Sequence, residues 1–291
     1  MNVLKQFTRA TLLLSCFTLL NSCGETEEKK EVHFPEITQA EIEEDIDNDV
    51  SADYEFIPPS TLQVASIFKK AGLVYDLKLT NPRSRVDEYS TKFYQSLAFG
   101  VYSSDLAYSV MHEKYDEASE FLKTLRTLGS KIGLETVFNS EDLVERFEAN
   151  VGNQDSIIDI LIYVQENTDD YIEENGKVDL SVIYYTGAWI EGMYMGANTV
   201  MKNQEKRIGV LISEQMTIAE ILLKGLEHIE EQSDDIDDLI DSIQDLIDTY
   251  NNLESVLKLG DEVDYIDIVL TNKEIILMSG KIVELRESIV Q

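Results

Sequence analysis

Cysteine is nearly missing from this chain: there are two in 291 residues, Cys16 and Cys23. Both fall before residue 24, so everything downstream lacks a thiol for a disulfide, a zinc–thiolate site, an iron–sulfur cluster or a cysteine nucleophile. Histidine is almost as scarce. His33 lies in an acidic stretch, His112 near the end of a helical pattern and His228 in Leu226-Glu227-His228-Ile229, and none has a second histidine at metal-binding spacing. The Glu-x-x-His pairs of di-iron bundles, the His-Glu-x-x-His zinc helix, the Gly-x-Ser-x-Gly elbow, the P-loop and the dinucleotide fingerprint do not occur. Positive charge is short too. Lys and Arg total 24 against 56 Asp and Glu, a net charge of −32, which repels nucleic acid and anionic lipid head groups at long range. With only four prolines, long stretches are free to be helical.

What is present begins with an export signature. Residues 1–22 carry Lys5 and Arg9 with no acid, then an apolar core from Ala10 to Leu20, then Leu20-Asn21-Ser22-Cys23. The core is too short to cross a bilayer as a mature helix. The expectation is a signal peptide cleaved before Cys23, with Cys23 diacylated and the acyl chains as the membrane anchor. Residues 23–59 are rich in acids, among them Glu25, Glu27, Glu28, Glu41, Glu43, Glu44, Asp45 and Asp47, without a sustained period. They are expected to form a disordered tether that charge repulsion keeps extended. Asp45-Ile46-Asp47-Asn48-Asp49 imitates the start of a calcium loop. Val50 stands where the turn needs glycine and Phe56 where the bidentate acid belongs, so calcium is not expected there.

From Pro58-Pro59-Ser60 onward the apolar period is helical almost everywhere, opened by Ser60 and Gln63 at capping-box spacing. Val86, Tyr89, Phe93, Leu97, Val101, Ser104 and Tyr108 recur at three and four, as do Tyr115, Ala118, Phe121, Leu122, Leu125, Leu128 and Ile132 before Gly133. Ser140 is spaced to cap a short helix through Phe147, and Asp155 to start another that ends at Asn175-Gly176. Asp179 is expected to cap an apolar helix to about Asn203. Single helices are then expected through Ile208–Ile229, through Ile236–Leu253, and from about Asp264 to Val290 with Ile268, Ile275, Ile276, Ile282, Val283 and Ile289 facing inward. No stretch alternates long enough for a strand. The fold class expected is all-α, an irregular multi-helix bundle over residues 60–291. Gly100-Val101-Tyr102 and Gly187-Ala188-Trp189 echo one another, which fits an internal pseudo-repeat whose two helices pack face to face through their glycines.

Two acids interrupt the most apolar stretches. Glu191 lies between Tyr184-Tyr185-Thr186-Gly187-Ala188-Trp189-Ile190 and Gly192-Met193-Tyr194, and Asp105 occupies a similar place after Val101-Tyr102-Ser103-Ser104. A carboxylate in such a helix must be protonated, paired or hydrogen-bonded. Two readings stay open: Asp105, Glu191, Tyr102, Trp189 and Tyr194 border a site where the acids bind a cation or a polar ligand or share protons as an acid and base pair, or the acids tie helices together through Tyr, Arg or backbone donors. Asp234-Asp235-Ile236-Asp237-Asp238 looks like a cation loop, but its isoleucines keep the helical period, so the acids read as one solvated face.

Leu79-Thr80-Asn81-Pro82, Tyr89-Ser90-Thr91, Leu97-Ala98-Phe99-Gly100-Val101-Tyr102-Ser103-Ser104-Asp105-Leu106 and Gly187-Ala188-Trp189-Ile190-Glu191-Gly192-Met193-Tyr194 together resemble uncharacterised all-helical lipoproteins of Bacteroidetes over about residues 60–230. The resemblance implies an envelope setting and brings no catalytic residues. The function expected is that of a lipid-anchored cell-envelope protein with a non-enzymatic binding or assembly role. The alternative is an enzyme or small-ligand sensor that uses Asp105 and Glu191. No metal or cofactor is expected. The partners expected are the membrane, through the anchor, and an envelope protein or small polar ligand, with no nucleic acid.

Overall fold

The computed structural model describes residues 60–138, 142–203, 206–258 and 268–290. The leader, the lipobox at Cys23, the tether with its Asp45–Asp49 run, the Ser140 cap and the stretch 264–267 lie outside the described residues. Within them the chain is all-α, with twelve α-helices and no strand.

The first helix, α1 (Thr61–Lys70), starts where its capping box says it should: the Ser60 hydroxyl accepts from Leu62 N, and the Gln63 side chain accepts from Ser60 N at 2.9 Å. Two 3₁₀ turns follow, Leu77–Leu79 and Arg83–Asp87. α2 (Lys92–Met111) begins later than its apolar period suggests, because the Thr91 side chain caps Tyr94 N and the Gln95 amide donates back to Tyr89 O. Val86 and Tyr89 therefore sit in the entry loop, with the Tyr89 ring still buried against Tyr102. α3 (Tyr115–Ile132) ends on Gly133, whose φ of 85° gives the left-handed residue that closes a helix.

α4 (Glu135–Phe138) and α5 (Asp142–Ala149) are short. α6 (Gln154–Glu174) is capped by Asn153, two residues ahead of the expected Asp155. α7 (Val178–Asn203) takes Asp179 into its first turn, where an acid meets the positive end of the helix dipole. The single helix expected through Ile208–Ile229 is two, α8 (Lys206–Glu214) and α9 (Met216–Glu227). Gln215 between them keeps the helical hydrogen bonds on either side, and its side chain turns to accept from the Trp189 indole at 3.2 Å.

α10 (Asp234–Asn251) is capped by Ser233 and buries Ile236, Leu239, Ile243, Leu246 and Ile247, while Asp234, Asp237, Asp238 and Asp241 are exposed, as the solvated-face reading requires. α11 (Glu254–Leu257) is a single turn. The last helix, α12 (Asn272–Ile289), starts later than expected because Thr271 and Glu274 form a second capping box. Glu274 also accepts from Ser255 N and Oγ, which ties α11 to α12. Burial works against its charge, but these hydrogen bonds hold its pKa down to about 2. Ile276, expected to face inward, is half exposed, because the buried stripe runs Ile275, Met278, Ile282, Leu285 and Ile289.

At the centre α2 and α7 pack along most of their lengths, with α1 and α3 against α2 and α12 against α7. Glycines set that contact. A Cβ built on Gly100 would lie 1.8 Å from Tyr184 O, and one on Gly187 would lie 2.3 Å from Leu97 O. Each glycine thus sits on the carbonyl three residues before the other, a reciprocal arrangement that lets backbone meet backbone and favours Cα–H···O contacts. The Gly100 and Gly187 echo in the sequence is the imprint of this crossing.

Candidate functional site

Asp105 from α2, Glu191 from α7 and Arg286 from α12 are brought together in the core on the side where α12 covers α7. Asp105 and Glu191 are completely buried, and the Arg286 side chain is nearly so. The Arg286 guanidinium forks onto Glu191, with Nε donating to Oε2 at 2.9 Å and Nη2 to Oε1 at 3.1 Å. Such a bidentate pair is the strong form of a charged hydrogen bond. The opposite face of the guanidinium lies 4.6 Å from the centroid of the Tyr194 ring. Burial raises the Glu191 pKa and the guanidinium pulls it back. Burial also opposes charge on Arg286, but the Glu191 carboxylate more than offsets it and its pKa rises. A guanidinium is charged at any ordinary pH and favours the ionised form of the carboxylate it holds in a fork.

Asp105 is different. Its Oδ2 accepts from Asn81 N at 3.0 Å, and its Oδ1 has no partner. Burial first, and then the Glu191 charge, push its pKa well above the ordinary carboxylate range, with the Asn81 N–H, Arg286 and Arg83 opposing. The acid that holds the guanidinium is thus the one favoured to carry the charge and Asp105 the one favoured to keep its proton, the division expected of two carboxyls that share a low-dielectric site with one guanidinium. Asn81, fully buried, donates its amide to the Tyr89 hydroxyl at 2.7 Å, and its own Oδ1 is also unpartnered. Tyr102 donates to Pro82 O at 2.9 Å, so the entry loop is fastened to α2 by both Tyr102 and Asp105.

Of the five residues singled out in the sequence, Tyr102, Asp105, Glu191 and Tyr194 thus surround this polar core. Trp189 does not join them. Two residues from Glu191 along a helix, it faces away, bonds Gln215 and borders a void of about 10 Å³ between α1, α7 and α9, room for about one water. Arg286 and Asn81 escaped the sequence reading. Arg286 had left a signal: it falls four residues after Ile282 and three before Ile289, on the buried stripe of its helix. Among the described residues no group of three or more His, Cys, Asp or Glu side chains could hold a metal ion.

A second feature lies on another face of the α2–α7 pair. A cavity of about 60 Å³ is walled mainly by Leu62, Phe99, Leu106, Leu122, Leu125 and Phe138, and reaches the surface beside the half-buried Thr61, Ser103, Val164 and Gln165. Tyr184 and Tyr185 close its inner end, both donating to Asp169 on α6, at 2.6 Å and 3.0 Å. Gln165 donates to the Tyr185 hydroxyl and accepts from Ser60, so the rim is tied to the residue where the described chain begins. No family model, curated protein or solved structure matches this chain.

Proposed function

We propose that this chain is a lipid-anchored cell-envelope protein with a non-enzymatic binding role, exported by residues 1–22, acylated at Cys23 and held off the membrane by its acidic tether. The observation that carries the binding reading is the apolar cavity between α1, α2, α3, α4, α6 and α7, a concave, largely apolar space with a few polar groups at its end and rim. Anchorage would fall to the acyl chains. No helix among the described residues is long and apolar enough to cross a membrane, and the net charge of −32 opposes adhesion to anionic lipid. In this reading the Glu191–Arg286 fork is a structural tie between α7 and α12.

The test has two parts. Cys23→Ala should abolish lipid modification and release the protein from membranes on carbonate washing; a variant still sedimenting with membranes would refute the anchor. Native mass spectrometry of protein purified from its own envelope should show a bound small molecule, and its release by substitutions that fill the cavity would locate it. One observation favours a second reading, a small polar ligand or proton sensed at Asp105: the unpartnered Oδ1 atoms of Asp105 and Asn81, on residues already joined by a hydrogen bond. A bound molecule lost with Asp105→Asn, and not with cavity-filling changes, would select it.

A further inference from the structure

The wall of the apolar cavity says which ligands it can hold, an inference that rests on the cavity being a binding site. Apart from that of Thr61, half-buried at the rim, its hydroxyl hydrogens are already committed to the protein. Ser103 donates to Phe99 O at 2.8 Å and Thr168 to Val164 O at 2.7 Å, while Tyr184 and Tyr185 both donate to Asp169. Gln165, the amide at the rim, is engaged at both ends, by Tyr185 and by Ser60. No Lys or Arg stands among the lining residues. What the wall presents is aliphatic and aromatic carbon with oxygen lone pairs.

A carboxylate or phosphate drawn past the rim would lose its water and find no counter-charge and no spare hydroxyl hydrogen, a desolvation that nothing repays, and one left at the rim meets no Lys or Arg among the lining residues. Asp169, just behind the two tyrosines, adds like charge against it, as does the strongly acidic chain as a whole. Shape narrows the choice further. An engineered cavity of about 150 Å³ holds benzene; this one, at about 60 Å³, is too small to enclose a ring but is open at its rim. A slim chain can enter end-on and leave its remainder outside.

We propose that the cavity takes the methyl end of an alkyl chain whose head group, left at the rim, is uncharged, and discriminates against alkanoates, whose carboxylate would stand at a rim without Lys or Arg on a strongly acidic protein. The probes are 1-hexanol and hexanoate, titrated at matched concentrations near neutral pH into the mature protein with ¹³C-labelled leucine methyl groups. Hexanol should shift the Leu106, Leu122 and Leu125 methyl resonances, with hexanoate at least tenfold weaker at the same resonances. Gln165→Arg, which sets a guanidinium at the half-buried rim, should narrow that gap at least threefold by strengthening hexanoate. Val164→Trp, a plug at the mouth, should remove the hexanol shifts, and Ser103→Phe serves the same purpose should the first variant fold poorly. Hexanoate binding as tightly as hexanol at these methyls would overturn the ligand class and leave the cavity a binding site. Failure of both probes to move the cavity methyls would overturn the cavity as a binding site and the class with it.

Discussion

Removing the Arg286 guanidinium is the sharpest test of the polar core. In Arg286→Met the aliphatic stem is replaced, but Glu191, completely buried, loses both of its charge-assisted hydrogen bonds. Stripping one partner from a buried pair costs about 3 to 5 kcal/mol, and loss of the contact with Tyr194 adds roughly 0.5 to 2 kcal/mol. For a domain of this size that is a fall of roughly 10 to 20 °C in melting temperature, taking about 2 to 4 °C per kcal/mol. Glu191 can limit the damage by taking up a proton, so the cost should shrink as pH falls toward the pKa of an unfolded glutamate. Adding Glu191→Gln to Arg286→Met removes the stranded charge and should restore at least 1 kcal/mol at neutral pH. The assay is urea denaturation followed by far-ultraviolet circular dichroism, for both single variants and the double variant, at pH 7.5 and pH 5. An Arg286→Met cost below about 1 kcal/mol at pH 7.5 would refute an ionised buried pair, as would a double variant no more stable than the single.

Other outcomes follow from the same coordinates. Gly100→Ala places a methyl 1.8 Å from Tyr184 O and 2.7 Å from Ala188 N, both backbone, so it should cost about 3 kcal/mol or more despite alanine's better helix propensity. Gly280→Ala on α12, whose Cβ would meet nothing within 4 Å, should instead gain about 0.5 to 1 kcal/mol by denaturant titration; a loss at Gly280 or neutrality at Gly100 would contradict the packing described. Asp105 has a folded pKa raised above its unfolded one, so its contribution to stability is full below about pH 4 and is lost as pH rises toward the folded value. Asp105→Asn should therefore become progressively more stable than the parent as pH rises through that window, by up to about 1.4 kcal/mol per pH unit, and parallel stability curves would show that Asp105 does not take up a proton on folding.

Periodicity alone determined that the described residues of this chain are all-α, because an apolar face recurring at three and four residues is a local property that survives whatever the helix packs against. Capping was legible for the same reason: Ser60 with Gln63 and Gly133 act within a few residues of themselves. The helix starts at Thr91 and Thr271 were missed because the apolar spacing continues upstream of each cap, and a periodic pattern does not say which of its members is wound into the helix. The glycine echo gave the α2–α7 crossing, since close backbone contact leaves a gap in side-chain size that can be read in one dimension.

The polar core was only half visible. That Asp105 and Glu191 are buried followed from their apolar neighbours, but which acid is ionised depends on where a guanidinium 95 residues downstream comes to rest. Sequence distance carries no information about that, and one charge in a low-dielectric site decides the protonation of everything around it. Trp189 stands two residues from Glu191 in the chain and parts from it in space because a helix turns about 100° per residue, which puts the two on nearly opposite faces. The cavity could not be read at all. It is a void between six helices, and voids come from how side chains fail to fill space together, which only tertiary packing decides.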